Sequence, residues 1–147
     1  MVELAVSLTV LLILTAIAIP SLMRSLRTYQ LNDAAARLSD MLKFTRFEAV
    51  RRNTQVNFLI LPSGTPPSPA SILAKLGATS SLDASKSGAA GILTFDARGA
   101  VSPLAAYVLY LGSANSPEFG YRAVILLPSG ATQIWTAPSG GTWQRIG

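Results

Sequence analysis

The 147-residue sequence contains no cysteine and no histidine. Without cysteine the chain has neither disulfides nor a thiol nucleophile, and without histidine it has no Ser-His-Asp or Cys-His arrangement. A zinc site would have to be built from carboxylates alone, which is not how such sites are normally made. The seven acidic residues are scattered, and no phosphate-binding loop motif is present. The sequence therefore predicts a protein that is not an enzyme and that holds no metal or cofactor.

Charged residues are also scarce, at 13% of the chain against 50% hydrophobic residues, which is apolar for a soluble domain. The imbalance lies at the front, because no charged residue occurs from Leu4 to Met23. A helix of that length rises about 30 Å, roughly the hydrocarbon thickness of a bilayer. The net charge is +5, and no basic cluster follows residue 53. These features predict one membrane-spanning helix and no obvious nucleic-acid face.

A signal peptide is the alternative interpretation of the apolar segment. Signal peptides carry basic residues ahead of a shorter apolar core and end at a small-residue cleavage site. Here no basic residue precedes the apolar run, and the helical pattern continues beyond it. We therefore predict a segment that is retained as a single-pass anchor.

Glycine is absent before Gly64, and the helical pattern continues through residues 24–53. Apolar and small residues recur there at spacings of three and four, which defines one stripe on an amphipathic helix: Leu31, Ala34, Ala35, Leu38, Met41, Leu42, Thr45 and Ala49. Arg51, Arg52 and Asn53 supply the positive charge and the stop expected at a helix C-terminus. The sequence predicts one long helix over residues 2–52.

Residues 54–147 show the pattern of a β-rich body. TQVNFLIL and AAYVLYLG predict strands, whereas DARG and PSG predict the turns of two hairpins. PSGTPPSP predicts a loop, residues 71–91 are ambiguous, and the chain ends in GGTWQRIG. Phe95, Trp135 and Trp143 are expected in or at the rim of the core, and Asp96 and Gly99 in a turn. The expected fold is α+β, with a small antiparallel sheet or sandwich after the helix.

Glu3 and Pro20 are unusual in a plain membrane anchor. A carboxylate in an apolar environment costs several kcal/mol unless it is paired or protonated. Glu3 either faces the interface, where it favours the helix dipole, or pairs with a group from another subunit, such as a free α-amino group. Pro20 removes one backbone hydrogen bond and permits a bend or local unwinding. General physical chemistry leaves both interpretations of Glu3 open.

The stretch MVELAVSLTVLLILTAIAIPSL resembles the N-terminal helix of type IV pilins and type II secretion pseudopilins. The resemblance implies that Glu3 is an assembly residue, neutralised by the N-methylated terminal amine of the adjacent subunit. It implies that Pro20 permits the helix to melt locally in the filament. It also implies a basic leader ahead of Met1, removed by prepilin peptidase after a glycine.

A second stretch, LSDMLKFTRFEAVRRNTQVNFLI, resembles the helix end and first strand of the H-type pseudopilins and their FimT relatives, the GspH/FimT family. Later segments, FDARGAVS and YRAVILLPSGATQIW, extend the resemblance over most of the chain. It rests on Leu42, Arg46, Glu48, Ala49, Arg51, Arg52, Val56, Phe95, Asp96 and Gly99. The implied fold is pilin-like, a long N-terminal helix packed on a small antiparallel β-sandwich. The expected segments are a transmembrane and assembly half (1–23), an amphipathic half (24–53) and a globular periplasmic body (54–147).

Three functions follow from these features. The favoured one is a minor pseudopilin of a type II secretion system, held in the bacterial inner membrane and then assembled with other pilin or pseudopilin subunits into a periplasmic filament. The alternative is a FimT-like minor type IV pilin acting in pilus assembly or DNA uptake, with Arg122 and Arg145 as DNA contacts. Two isolated charges would add little affinity for DNA. The third is an anchored periplasmic domain that does not polymerise, in which Glu3 and Pro20 have no special role.

Overall fold

The computed structural model describes residues 1–60, 72–78, 91–113, 117–137 and 142–147. One helix, α1, runs from Val2 to Arg52. The strands in these ranges are β1 (Val56–Ile60), β2 (Ile72–Ala78), β3 (Gly91–Phe95), β4 (Val101–Ser102), β5 (Tyr107–Ser113), β6 (Tyr121–Leu126), β7 (Thr132–Ala137) and β8 (Gln144–Arg145). A short 3₁₀ helix, Pro117–Phe119, precedes β6. The predicted helix over residues 2–52 is therefore confirmed.

The chain divides into two compact units, Met1–Gln30 and Leu31–Gly147. The first unit is helical, and the helix is continuous through Pro20. Its apolar side chains are exposed rather than packed into a protein core. The helix is long and apolar enough to cross a membrane.

The C-terminal end of α1 is closed by a Schellman motif. Asn53 takes the left-handed conformation, with φ of +50°. Its backbone N–H donates to the carbonyl of Val50, and the N–H of Thr54 donates to the carbonyl of Ala49, both at 3.2 Å. Asparagine tolerates this conformation better than most residues, and Arg51 and Arg52 offset the negative end of the helix dipole. The predicted stop at Asn53 is confirmed.

In the second unit the strands form two antiparallel sheets. The three-stranded sheet has the order β1-β3-β4, and the five-stranded sheet has the order β2-β5-β6-β7-β8. The two predicted hairpins are present as β3–β4 and β6–β7. Each turn ends in a glycine with positive φ, +79° at Gly99 and +80° at Gly130, as a type I turn followed by a left-handed residue requires. Asp96 supports its turn by accepting the backbone N–H groups of Arg98 and Ala100 at 2.9 and 2.8 Å.

The main core lies where the second half of α1 packs on both sheets. Ala35, Leu42 and Ala49 of the helix are fully buried there. The strands contribute Ile60, Leu93, Phe95, Val101, Leu109, Leu111, Val124 and Leu126. Fully burying a side chain such as Leu42 or Phe95 contributes about 2 kcal/mol through the hydrophobic effect. The predicted α+β fold, a long helix packed on antiparallel sheets, is confirmed.

A smaller cluster occupies the other face of the five-stranded sheet. It comprises Val108, Tyr110, Ala123 and Ile125, with Leu127, Trp135 and Trp143 packed against it. The rings of Tyr110 and Trp143 are tilted at 54°, with centroids 6.0 Å apart. Strand alternation explains the division, because neighbouring residues of β5 and β6 point to opposite faces. The predicted packing roles of Phe95, Trp135 and Trp143 are confirmed.

The structure differs from the sequence-based expectation at two positions of the helix stripe. Met41 was expected to be buried, but its side chain is 59% exposed. Ser39 is buried instead, and its hydroxyl lies 2.8 Å from the hydroxyl of Thr132 on β7. A serine is tolerated in the core because this hydrogen bond satisfies it. Strand β2 falls in the stretch left ambiguous, and the loop predicted at residues 62–69 lies outside the described residues.

Candidate assembly surface

Glu3 lies in the first turn of α1, where a carboxylate favours the helix dipole. Within the described part of the chain its carboxylate takes part in no ion pair. The resemblance to type IV pilins implies that Glu3 acts in assembly. The structure therefore shows an acid whose charge would need a counter-charge from outside the chain if this turn were placed among apolar groups.

Three hydroxyl groups of the apolar segment, those of Ser7, Thr9 and Thr15, are satisfied within their own helix. Ser7 donates to the carbonyl of Glu3 at 2.9 Å, and Thr9 donates to the carbonyl of Ala5 at 2.7 Å. Thr15 donates to the carbonyls of Leu11 and Leu12 at 3.0 and 2.9 Å. A hydroxyl bonded one turn back needs no water, which suits a helix surrounded by lipid or by other apolar helices.

A row of large apolar side chains continues on the exposed face of α1 in the second unit. We call Met41, Phe44 and Phe47 the apolar ridge; they are 59%, 64% and 63% exposed. Residues three apart lie next to one another on a helix surface, so the three side chains form one strip. The strip faces away from the core residues Leu42 and Ala49. A single exposed apolar residue is ordinary, but three neighbouring ones on the same helix indicate an interaction surface.

Ion pairs within the helix offset part of the charge around the ridge. Arg37 pairs with Asp33 at 2.8 Å, and Lys43 pairs with Asp40 at 3.4 Å. The carboxylate of Glu48 forms ion pairs with both Arg51, at 2.9 Å, and Arg52, at 2.8 Å. The hydrogen bond from Arg51 is the largest cause that lowers the pKa of Glu48, with Arg52 adding to it against a smaller opposing effect of burial. Glu48, Arg51 and Arg52 therefore form a locally paired helix end.

Met41 and Phe44 of the ridge also line a shallow groove between α1 and β1. Its lining consists of Arg37, Asp40, Met41, Phe44, Thr45 and Phe58. Phe58 is half-buried and packs against the main core from β1. The groove therefore has an apolar floor with one ion-paired cation and one ion-paired anion among its lining residues.

Arg46 does not belong to the paired helix end. Its side chain packs on the two glycine turns, with Nε 3.0 Å from the positions that a Cβ on Gly99 or on Gly130 would take. The same region joins the two sheets, because the backbone N–H of Val101 donates to the carbonyl of Pro128 at 3.0 Å. Arg46 thus covers the junction of the hairpins, a role that its spacing in the sequence did not indicate.

Arg122 and Arg145 lie in very different environments. Arg122 is only 5% exposed; its Nε donates to Oδ1 of Asn32 at 2.6 Å, and its Nη1 donates to the carbonyl of Tyr121 at 3.0 Å. Desolvation by burial lowers the pKa of Arg122 from its usual value. Arg145 is exposed on β8 and donates to the carbonyl of Gly147 at 3.4 Å. The FimT-like alternative takes both arginines as DNA contacts. In this conformation only the side chain of Arg145 lies at the surface.

No group of three or more acidic residues that could hold a metal ion occurs among the described residues. The notable features of this part of the chain are instead the apolar first unit, the ridge and the buried guanidinium of Arg122.

A long N-terminal helix that packs by its second half on antiparallel sheets is the pilin-like α+β architecture. One solved structure supports this class. The Pseudomonas aeruginosa type IV minor pilin FimU in space group P21 matches with a TM-score of 0.52 and 22% sequence identity, covering 82% of this chain and 95% of that one. The same protein in space group P65 gives a TM-score of 0.49 and 22% identity, covering 79% and 97%.

The likeness to the first FimU structure establishes the fold of the chain. No protein-family model matches the sequence, and no curated protein matches it. Function therefore has to be argued from the surfaces of the chain itself.

Proposed function

We propose that the chain is a structural subunit of a pilin-like filament, held in a membrane by residues 1–23 and assembled through α1. The apolar ridge is the observation that carries this proposal. A bilayer would account for the exposed apolar side chains from Leu4 to Met23, but not for Phe44 and Phe47, which lie among ion-paired residues. A neighbouring protein helix would cover both stretches, because it can pack against an apolar strip whose flanking charges are largely ion-paired.

Glu3 and Pro20 fit the same proposal. A bundle of apolar helices would surround the first turn with low-dielectric material, in which the carboxylate of Glu3 needs a counter-charge. The terminal amine of an adjacent subunit would supply it. Pro20 lacks the backbone N–H that would hold the preceding turn, so α1 can bend or unwind there when helices pack.

Two settings are candidates for this filament. The motifs shared with the GspH/FimT family support a minor pseudopilin of a type II secretion system, with the chain in the bacterial inner membrane, its body in the periplasm and its leader removed by prepilin peptidase. The likeness to FimU supports a minor type IV pilin instead. Deleting the gene in its own host would separate them, because loss of protein secretion indicates the first setting and loss of surface pili indicates the second.

Substitution of the ridge tests the filament proposal. Phe44→Asn should reduce incorporation of the chain into filaments at least tenfold while leaving the free energy of unfolding nearly unchanged, because the side chain is largely exposed. Filament incorporation is measured by shearing and quantifying the chain in the sheared fraction. Leu104→Asn is the matched control, since Leu104 is 79% exposed but lies outside the helix. Equal incorporation of Phe44→Asn and wild type would contradict the proposal.

A further inference from the structure

Arg122 is a buried cation without a carboxylate. Within the described part of the chain its side-chain hydrogen bonds go to the amide oxygen of Asn32 and the carbonyl of Tyr121, both neutral acceptors. A guanidinium carries five N–H donors in a planar fork that fits a carboxylate with two parallel bonds. Burying such a charge beside neutral partners alone is costly, and a carboxylate is the partner that offsets this cost best.

Ser113 lies on the same face of the sheet and is also incompletely bonded. Its side-chain oxygen is buried and has no hydrogen-bond partner, with the residue 8% exposed. Arg122 on β6 is in register with Leu111 on β5. Ser113 follows Leu111 by two residues, so its side chain projects from the same face as Arg122. The Ser113 hydroxyl is therefore a buried donor without a partner among the described residues, and the guanidinium of Arg122 has further N–H groups beyond the two that are bonded.

We propose that Arg122 and Ser113 form a binding site for a single carboxylate. The free N–H groups of the guanidinium would donate to the ligand, and the Ser113 hydroxyl would donate to it as well. Asn32, whose Oδ1 contacts Arg122, is exposed to solvent. The site can be tested separately from the filament function, since its residues all lie in the second unit.

Two sources could supply the carboxylate, a side chain of a second copy of this chain or a small free carboxylate. In the described part of the second unit, one side-chain carboxylate is available to act as such a ligand. Asp33, Asp40 and Glu48 are ion-paired, and Asp96 accepts hydrogen bonds from its own turn. Glu118, which lies in the 3₁₀ helix before β6, is exposed and takes part in no described ion pair.

Asn32→Asp provides the first test, because it places a carboxylate oxygen against Arg122 Nε without changing the shape of the side chain. Thermal unfolding of the full chain in neutral detergent micelles should shift upward by about 5 °C, as expected for a gain near 1 kcal/mol in a domain of this size. Ala36→Asp is the control, since it adds the same charge at an exposed position of the same helix. An unchanged or lower transition for Asn32→Asp would overturn the proposal.

Binding is tested with N-acetyl-L-glutamate as the probe and its neutral analogue N-acetyl-L-glutamine as the control. The NMR signal of the Arg122 Nε–H group should shift saturably with the first compound and not with the second. Asn32→Asp should weaken this response at least tenfold because its own carboxylate fills the site, whereas Ala36→Asp should not. Ser113→Ala should weaken it several-fold without loss of stability. Absence of a saturable shift below about 50 mM in the wild type overturns the site.

Protein concentration distinguishes the two sources. If a second copy supplies the carboxylate, the Arg122 signal should shift with chain concentration alone, and Glu118→Gln should abolish that shift. If a free carboxylate supplies it, only the added probe should move the signal. These readouts use unassembled chain, so a failed site leaves the filament proposal intact, and failed filament incorporation of Phe44→Asn leaves the site intact.

Discussion

The backbone carbonyl oxygen of Gly99 occupies the space that a Cβ on Gly130 would need. The two glycines end the β3–β4 and β6–β7 turns, one in each sheet, and the side chain of Arg46 covers both. The two sheets therefore meet through backbone rather than through side chains at this point. Any side chain on Gly130 would force the two turns apart.

Gly130→Ala should destabilise the chain by about 3 kcal/mol. The left-handed φ of +80° costs an alanine about 1–2 kcal/mol, and the overlap with the Gly99 carbonyl adds to this because a backbone atom cannot rotate away. Denaturant unfolding of the full chain in micelles measures the loss. Gly147→Ala is the control, since its Cβ would meet Ile134 only at 3.7 Å. Equal stability of the two variants would contradict the close approach.

The ion pairs at the end of α1 should make stability depend on pH. Because the hydrogen bond from Arg51 lowers the pKa of Glu48 in the folded chain, the carboxylate stabilises the fold above its usual pKa of 4.5. This contribution should disappear as the pH falls through the lowered folded-state value. Glu48→Gln should therefore be less stable than wild type at pH 7 and equal to it in strong acid. Parallel pH profiles of the two proteins would show that the pairs contribute nothing.

Glu3→Ala should leave the second unit folded and impair recruitment into filaments. The reason is that Glu3 has no ion pair within the described chain, so its charge is available to an adjacent subunit. Co-expression of tagged mutant and wild type, followed by quantification of each in sheared filaments, gives the ratio directly. Thr9→Ala serves as the control, because the Thr9 hydroxyl already bonds its own helix. Incorporation of mutant and wild type in equal amounts would show that Glu3 has no role in assembly.

A fragment of residues 29–147 should be soluble and monomeric. It retains every buried core residue, since these begin at Leu31, and it lacks the apolar segment from Leu4 to Met23. Sedimentation velocity at increasing concentration tests the expectation, with near-ultraviolet circular dichroism of Trp135 and Trp143 as a check on the fold. Concentration-dependent association would indicate that the ridge or another apolar surface binds a second copy.

The same fragment should not bind DNA more tightly than about micromolar near 150 mM salt. Arg122 is buried, so Arg145 is the only one of the two predicted contacts on the surface. A salt titration by fluorescence anisotropy measures the affinity and the number of phosphates contacted. Tight binding that Arg145→Ala weakens would favour the DNA-uptake setting over assembly alone.

The local elements were predictable because short-range chemistry decides them. The uncharged run and the absence of early glycine indicate the long helix, Asn53 indicates its end, and DARG and PSG indicate the two turns. The relation between elements was not predictable. Met41 and Ser39 differ by two positions, and only the rotation of α1 against the sheets decides that the serine is buried and the methionine exposed.

The candidate sites divide in the same way. Glu3 and Pro20 stand out in the sequence, because a carboxylate and a helix breaker are conspicuous in an apolar run. For Arg122 the sequence is misleading, since an isolated arginine in a strand is expected at the surface. Its burial follows from pairing with Asn32, which lies 90 positions away along the chain. Nothing in the sequence distinguishes Ser113, because the absence of a hydrogen bond to its hydroxyl can be recognised only when the surrounding residues are known.

The sequence by itself determined that the chain has one long helix, apolar throughout its first part and amphipathic in its second, followed by short antiparallel strands. Residue periodicity and turn chemistry suffice for that, because they act within a few residues. Only the tertiary structure decided which helix face is buried, that two glycine turns meet under Arg46, and that Arg122 and Ser113 are buried. These depend on contacts between residues far apart in the chain, which packing of the whole body selects.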